Sequence, residues 1–172
     1  MNGSCRDLLG ILLQSYLSLR DFPFLNHLHR FSNANVKIYT DGSKMENHVG
    51  ASMVAVKDSR EIHINIQRLN ITCTVFQVEL CRISMTVDWI QSQGKKTSSY
   101  AINVDSKAAL LAIANKHTTH PLAVATRLKT IKLRNSTSIT FHWLKGHAGL
   151  KGNERADYLA KTVASYNTTA VV

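Results

Sequence analysis

The sequence predicts an α/β domain with a mixed five-stranded sheet flanked by helices. Three observations predict it. Residues 36–40, 49–56 and 61–69 are apolar-rich strand candidates joined by short polar links, the signature of an antiparallel meander. At residues 75–93 the period lengthens: Phe76, Leu80, Ile83, Val87 and Ile90 share one helical face, and Gly94 stops the run. Residues 100–104 then form a short apolar strand that, coming after a helix, lies parallel to the first strand by a right-handed crossover. The remaining elements follow in order. Residues 106–115 read as a helix capped by Ser106, and 121–134 as a helix with Pro121 in its first turn. Residues 138–144 read as a fifth strand and 153–164 as a last helix after a Gly-rich loop.

Composition narrows the class. An apolar fraction of 44% is that of a globular chain. The chain carries 21 Lys and Arg against 11 Asp and Glu, a net +10, and from Ser106 onward ten basic residues face two acidic ones. Such a balance suits a polyanionic partner, nucleic acid or an anionic membrane, and also an ordinary basic protein. The three cysteines, Cys5, Cys73 and Cys81, lack metal-ligand spacing and cannot all pair, so they read as free thiols of a reducing compartment. That places the protein inside the cell, in cytoplasm or nucleus, and not in the secretory route. No run is long enough to span a membrane. Leu8, Ile11, Leu12, Tyr16 and Leu19 have helical spacing, and no signal-peptide pattern accompanies them. The expected organisation is an N-terminal helical appendage at 1–34, one folded domain at 35–166 and a tail at 167–172, with the polar break at residues 32–35 marking the boundary.

Four acids stand out: Asp41, Glu79, Asp105 and Asp157. Asp41 and Asp105 each follow the C-terminal end of a strand, and these two strands are expected to be parallel neighbours. Ligand sites of open α/β sheets form at such ends. Glu79 sits at the shoulder of a buried helix face, where a carboxylate is costly without a compensating cation or donor. Asp157 lies beside the apolar stripe of the last helix. Gathered together, the acids would repel one another, and a hard divalent cation such as Mg²⁺ relieves that repulsion. Taken singly, each has an ordinary reading as a turn, a cap or a solvated helix edge.

The local sequences around these acids carry a resemblance. Ile38-Tyr39-Thr40-Asp41-Gly42-Ser43, Phe76-Gln77-Val78-Glu79-Leu80 and Asn103-Val104-Asp105-Ser106 resemble successive motifs of the ribonuclease H family. Residues 143–157, from Trp143-Leu144-Lys145-Gly146-His147 through Asn153-Glu154-Arg155-Ala156-Asp157, are similar to its closing motif almost throughout. The combined motifs look like the ribonuclease H domain of non-long-terminal-repeat retrotransposon polyproteins. The resemblance implies a ribonuclease H-like fold and endonucleolytic hydrolysis of the RNA strand of RNA–DNA hybrids. It implies two Mg²⁺ ions, with Mn²⁺ able to substitute, held by Asp41, Glu79, Asp105 and Asp157, and a mobile His147 assisting proton transfer or product release. It also makes a reverse transcriptase domain of a parent polyprotein a candidate partner.

The sequence departs from the family pattern before the helix glutamate. Thr72, Cys73, Thr74 and Val75 stand where hybrid-binding members carry amides, which leaves Gln77 as the nearest. The basic residues Arg127, Lys129, Lys132 and Arg134 offer a phosphate grip or a solvated helix face. Two functions compete: an active hybrid nuclease, and a catalytically inactive nucleic-acid-binding module that retains the fold. An integrase or transposase of the same superfold is disfavoured by the closing Gly-His motif and by the lack of a His/Cys zinc cluster.

Overall fold

The structure is a computed structural model and describes residues 33–45, 48–94, 98–144 and 149–165. The expected N-terminal helix, His147 and the C-terminal tail lie outside the described residues.

The strands are β1 (Val36–Met45), β2 (His48–Lys57), β3 (Arg60–Leu69), β4 (Ser99–Val104) and β5 (Ser138–Trp143). The helices are α1 (Val75–Ser92), α2 (Lys107–Ala114), α3 (Pro121–Leu133) and α4 (Lys151–Ser165). The sheet order is β3-β2-β1-β4-β5. Strands β1, β2 and β3 form the antiparallel meander, and β4 and β5 extend β1 in parallel. The mixed five-stranded architecture expected from the sequence is the one observed.

One boundary differs in a way that matters. Strand β1 does not stop at Thr40; it runs through Asp41 and Gly42 to Met45, paired with β2 from Lys37–Val56 to Met45–His48. The Asp-Gly-Ser segment reads locally as a turn, but the long β2 partner keeps it extended. Asp41 therefore lies within a strand, one residue past the end of the parallel ladder, whose last pair is Thr40–Val104.

Side-chain alternation along β1 and β2 divides the packing. On one face Ile38, Met53 and Ala55 pack with Leu80, Ile83, Val87 and Ile90 of α1 and with Leu110 and Ile113 of α2. On the other face α4 lies close to the sheet because small residues meet. A Cβ on Gly50 would strike the α4 backbone at Ala160 and Ala164, and one on Gly152 would strike the Tyr39 ring. Ser52 Oγ donates to Ala156 O at 2.6 Å and pins this contact.

Helix α1 starts at a capping box. Thr74 Oγ1 accepts from Gln77 N at 3.2 Å, and Gln77 Oε1 accepts from Thr74 N at 2.9 Å. Ser106 caps α2 as expected, accepting from Ala109 N at 3.3 Å.

Candidate active site

The parallel pairing of β1 with β4 sets Asp41 beside Asp105. Glu79, in the second turn of α1, crosses over Gly42. A Cβ on Gly42 would lie 2.9 Å from Glu79 Oε1 and 2.7 Å from Val78 Cγ1, so the absent side chain gives the glutamate its place. Asp41, Glu79 and Asp105 each offer a carboxylate oxygen, and these oxygens all lie within 4.8 Å of one another. The main chain of Asp105 is held from two sides, by Trp143 Nε1 at 2.9 Å and Lys107 N at 3.1 Å, both donating to Asp105 O.

Burial and like charge act together here. Asp41 is 6% exposed and Glu79 4%. Burial first, then the charges of Asp105 and Asp157, push Asp41 up to about 7. Burial, then Asp105 and Asp41, push Glu79 up to about 8, against a smaller opposing effect of the Gly42 backbone hydrogen bond and Arg82. Glu79 Oε2 is buried and has no hydrogen-bond partner. An all-oxygen donor set with a buried orphan oxygen and mutual repulsion fits a hard divalent cation.

The fourth acid stands apart. Asp157 on α4 is close enough to Asp41 to raise it, yet it is outside the three-residue cluster. Its Oδ2 takes an ion pair from Lys161 Nζ at 2.7 Å, one helical turn away.

The expected nucleic-acid contacts divide. Gln77 is exposed, and its carbonyl oxygen is used by the α1 cap. Lys129 is bound to Asp88 of α1 at 2.7 Å, while Lys132 and Arg134 are exposed. Arg127 does not belong to that surface. It is 2% exposed, and its Nη1 donates to Asn115 O and, at 3.4 Å, to Ile113 O, closing the C-terminal end of α2. The correction has a simple cause: the last carbonyls of a helix lack intrahelical donors, and a neighbouring guanidinium satisfies them.

Sequence reasoning missed three contacts that shape the site. The Thr74–Gln77 cap was available from its Thr-x-x-Gln spacing. The Trp143 indole bond to Asp105 O had no local signal. Arg82, fully buried one turn after Glu79 and bonded to Asn65 Oδ1 at 3.1 Å, had none either.

Fold and site together define an α/β domain with a buried acidic centre where a parallel strand pair ends. The chain belongs to the ribonuclease H family: the model of that family, RNase H, matches residues 33–165. It is 26% identical over 159 residues to a ribonuclease H of Pseudoalteromonas atlantica, covering 76% of this chain and 91% of that protein. A ribonuclease H of Rhizobium meliloti is 61% identical over 28 residues, 16% of this chain and 18% of that protein. In fold, the chain is similar to the N-terminal RNase H domain of a Mycobacterium tuberculosis protein solved as a fusion with maltose-binding protein. That match has a TM-score of 0.60 at 20% identity and covers 77% of this chain and 94% of that one. Among the described residues no helix is long and apolar enough to cross a membrane.

Proposed function

We propose that this chain is an intracellular endonuclease that hydrolyses the RNA strand of RNA–DNA hybrids with divalent cations, Mg²⁺ in the first place and Mn²⁺ as a substitute. The observation that carries the reading is the convergence of Asp41, Glu79 and Asp105 within 4.8 Å at the end of the β1–β4 pair. These three carboxylates hold the cation, and Asp157 joins them by leaving Lys161. Bound there, a divalent cation supplies Lewis-acid stabilisation of phosphoryl oxygens and a more acidic water. The protein's part is to orient the carboxylates and shield them partly from water, at the cost of raising Asp41 and Glu79, which the cation then offsets. Lys132 and Lys129 grip phosphates, the Gln77 amide lies nearest the hybrid, and His147 assists proton transfer or product release. The motif similarity supports an origin in a retrotransposon polyprotein, with a reverse transcriptase domain as partner.

A hybrid-binding module without turnover is the second reading, favoured by the Lys161–Asp157 pair at 2.7 Å. Exposed pairs one helical turn apart are weak, so this contact does not outweigh the cluster.

The test is an RNA–DNA hybrid labelled on the RNA strand, incubated with Mg²⁺ or Mn²⁺. Internal cleavage leaving 3′-hydroxyl and 5′-phosphate ends is expected. A loss of about 100-fold or more, roughly 2.7 kcal/mol of barrier, is expected in Asp41→Asn and Asp105→Asn. Tight hybrid binding without cleavage by the folded protein establishes the second reading instead.

A further inference from the structure

Alternate residues of β1 face α1: Ile38 packs on that helix, and Gly42 leaves room for Glu79. Lys44 is the next residue on this face, two beyond Gly42 and three beyond Asp41, roughly 10 Å along the strand from the aspartate. It is exposed, yet its ammonium is spent on the protein. Lys44 Nζ donates to Ile71 O at 3.0 Å and to Cys73 O at 2.9 Å, two carbonyls of the turn that leads from β3 into α1. The turn is fastened internally as well. Cys73 N donates to Asn70 O at 3.0 Å, and Asn70 Oδ1 accepts from Thr72 N at 3.0 Å and Thr72 Oγ1 at 2.9 Å. The Thr74 cap then takes Gln77 N, the helix donor that would otherwise reach Cys73 O, and so leaves that carbonyl to Lys44.

From Asn70 to Glu79 the chain is thus one hydrogen-bonded unit of turn, cap and first helical turns. Beneath it, Leu69 and Cys73 pack with Val49, Ala51 and Val78, but apolar contact has no direction and does not set a height along β1. Two directed bonds from Lys44 do. We propose that Lys44 is a positioning residue for Glu79: by clamping the 70–73 turn to β1, it holds the start of α1 where the Glu79 carboxylate reaches Asp41 and Asp105. The inference rests on the cation reading of the acidic site. It also fixes the sign of an effect. A lysine repels a divalent ion, so as a mere charge at roughly 10 Å its removal tightens ion binding, by about twofold once salt screening is counted. Loss of a group that orients a metal ligand works in the opposite direction and costs about tenfold or more in affinity.

The test is calorimetric titration of Mn²⁺ into the full chain and into Lys44→Met and Asn70→Ala, with urea unfolding in EDTA reporting that each protein is folded under the titration conditions. Lys44→Met binds Mn²⁺ about tenfold more weakly than the parent. Asn70→Ala, which loosens the same turn without changing any charge, shifts binding in the same direction. Hybrid cleavage by Lys44→Met recovers as Mn²⁺ is raised, because affinity for the ion is what the substitution removes. Mn²⁺ binding by Lys44→Met that equals or exceeds the parent's overturns the proposal. So does a cleavage defect that no concentration of Mn²⁺ restores, which makes Lys44 a phosphate contact instead. A parent that binds no Mn²⁺ sinks the cation reading itself and this inference with it, whereas equal binding by parent and Lys44→Met sinks this inference alone.

Discussion

Replacing Asp105 by Asn should raise the stability of the metal-free protein while removing its activity. Burial first, and Asp105 as the foremost neighbouring charge, raise Asp41 to about 7 and Glu79 to about 8 from ordinary values of 3.8 and 4.5. A raised carboxyl means that the folded state keeps protons the unfolded chain has released. Stability is therefore fully present below about pH 4 and is lost as pH rises through about 7 to 8. Two unit charges 4.8 Å apart repel by roughly 3 kcal/mol at an effective dielectric constant of ~20. Asp41 and Glu79 are partly protonated near neutrality, so the relief from Asp105→Asn is smaller, about 1–2 kcal/mol at pH 8. Urea unfolding in EDTA at pH 5 and pH 8 measures it. The variant should exceed the parent at pH 8 and match it at pH 5, and saturating Mg²⁺ should reverse the order by stabilising the parent alone. A parent whose stability in EDTA is flat from pH 5 to 8 would refute the electrostatic reasoning. So would a variant that is equally destabilised at both.

Four further outcomes are expected. Gly42→Ala drives a methyl group against Val78 and Glu79, and should cost about 1–3 kcal/mol in urea unfolding together with most of the hybrid cleavage; wild-type activity would show that Glu79 does not need that space. Lys132→Ala should weaken hybrid binding without sequence preference and lower the salt slope by about one. Arg127→Met should instead lower stability and leave the slope unchanged, and binding titrations at several salt concentrations separate the two. Arg82 is buried with Nε and Nη2 unpartnered. Arg82→Met combined with Asn65→Val should be neutral or stabilising by about 1–4 kcal/mol, and a marked fall in the urea midpoint would show that the buried cation supports the fold.

What the sequence made legible follows from the range of each interaction. The adjacency of Asp41 and Asp105 was readable because one crossover rule places two strands side by side and both acids close their apolar runs. Glu79 was readable as a costly carboxylate on an apolar face, although its burial depends on Gly42 beneath it, a contact made across the fold. The continuation of β1 through Asp41–Met45 was hidden because local turn chemistry competes with pairing to β2, and pairing wins. Arg127 was misread for a related reason: a basic residue on a helix reads as solvated, and the carbonyls that draw it inward belong to the end of another helix. Asp157 illustrates the opposite case. The motif names it, while the structure pairs it with Lys161 and leaves it outside the cluster of Asp41, Glu79 and Asp105.

The central claim is that Asp41, Glu79 and Asp105 act as one cation site. Calorimetric titration of Mn²⁺ into the full chain, and into Asp41→Asn, Glu79→Gln and Asp105→Asn, tests it most directly. Saturable binding that weakens at least about tenfold, or roughly 1.4 kcal/mol, in each of the three variants is the predicted result. Binding of equal strength in all four proteins, or none in the parent at neutral pH, would contradict it.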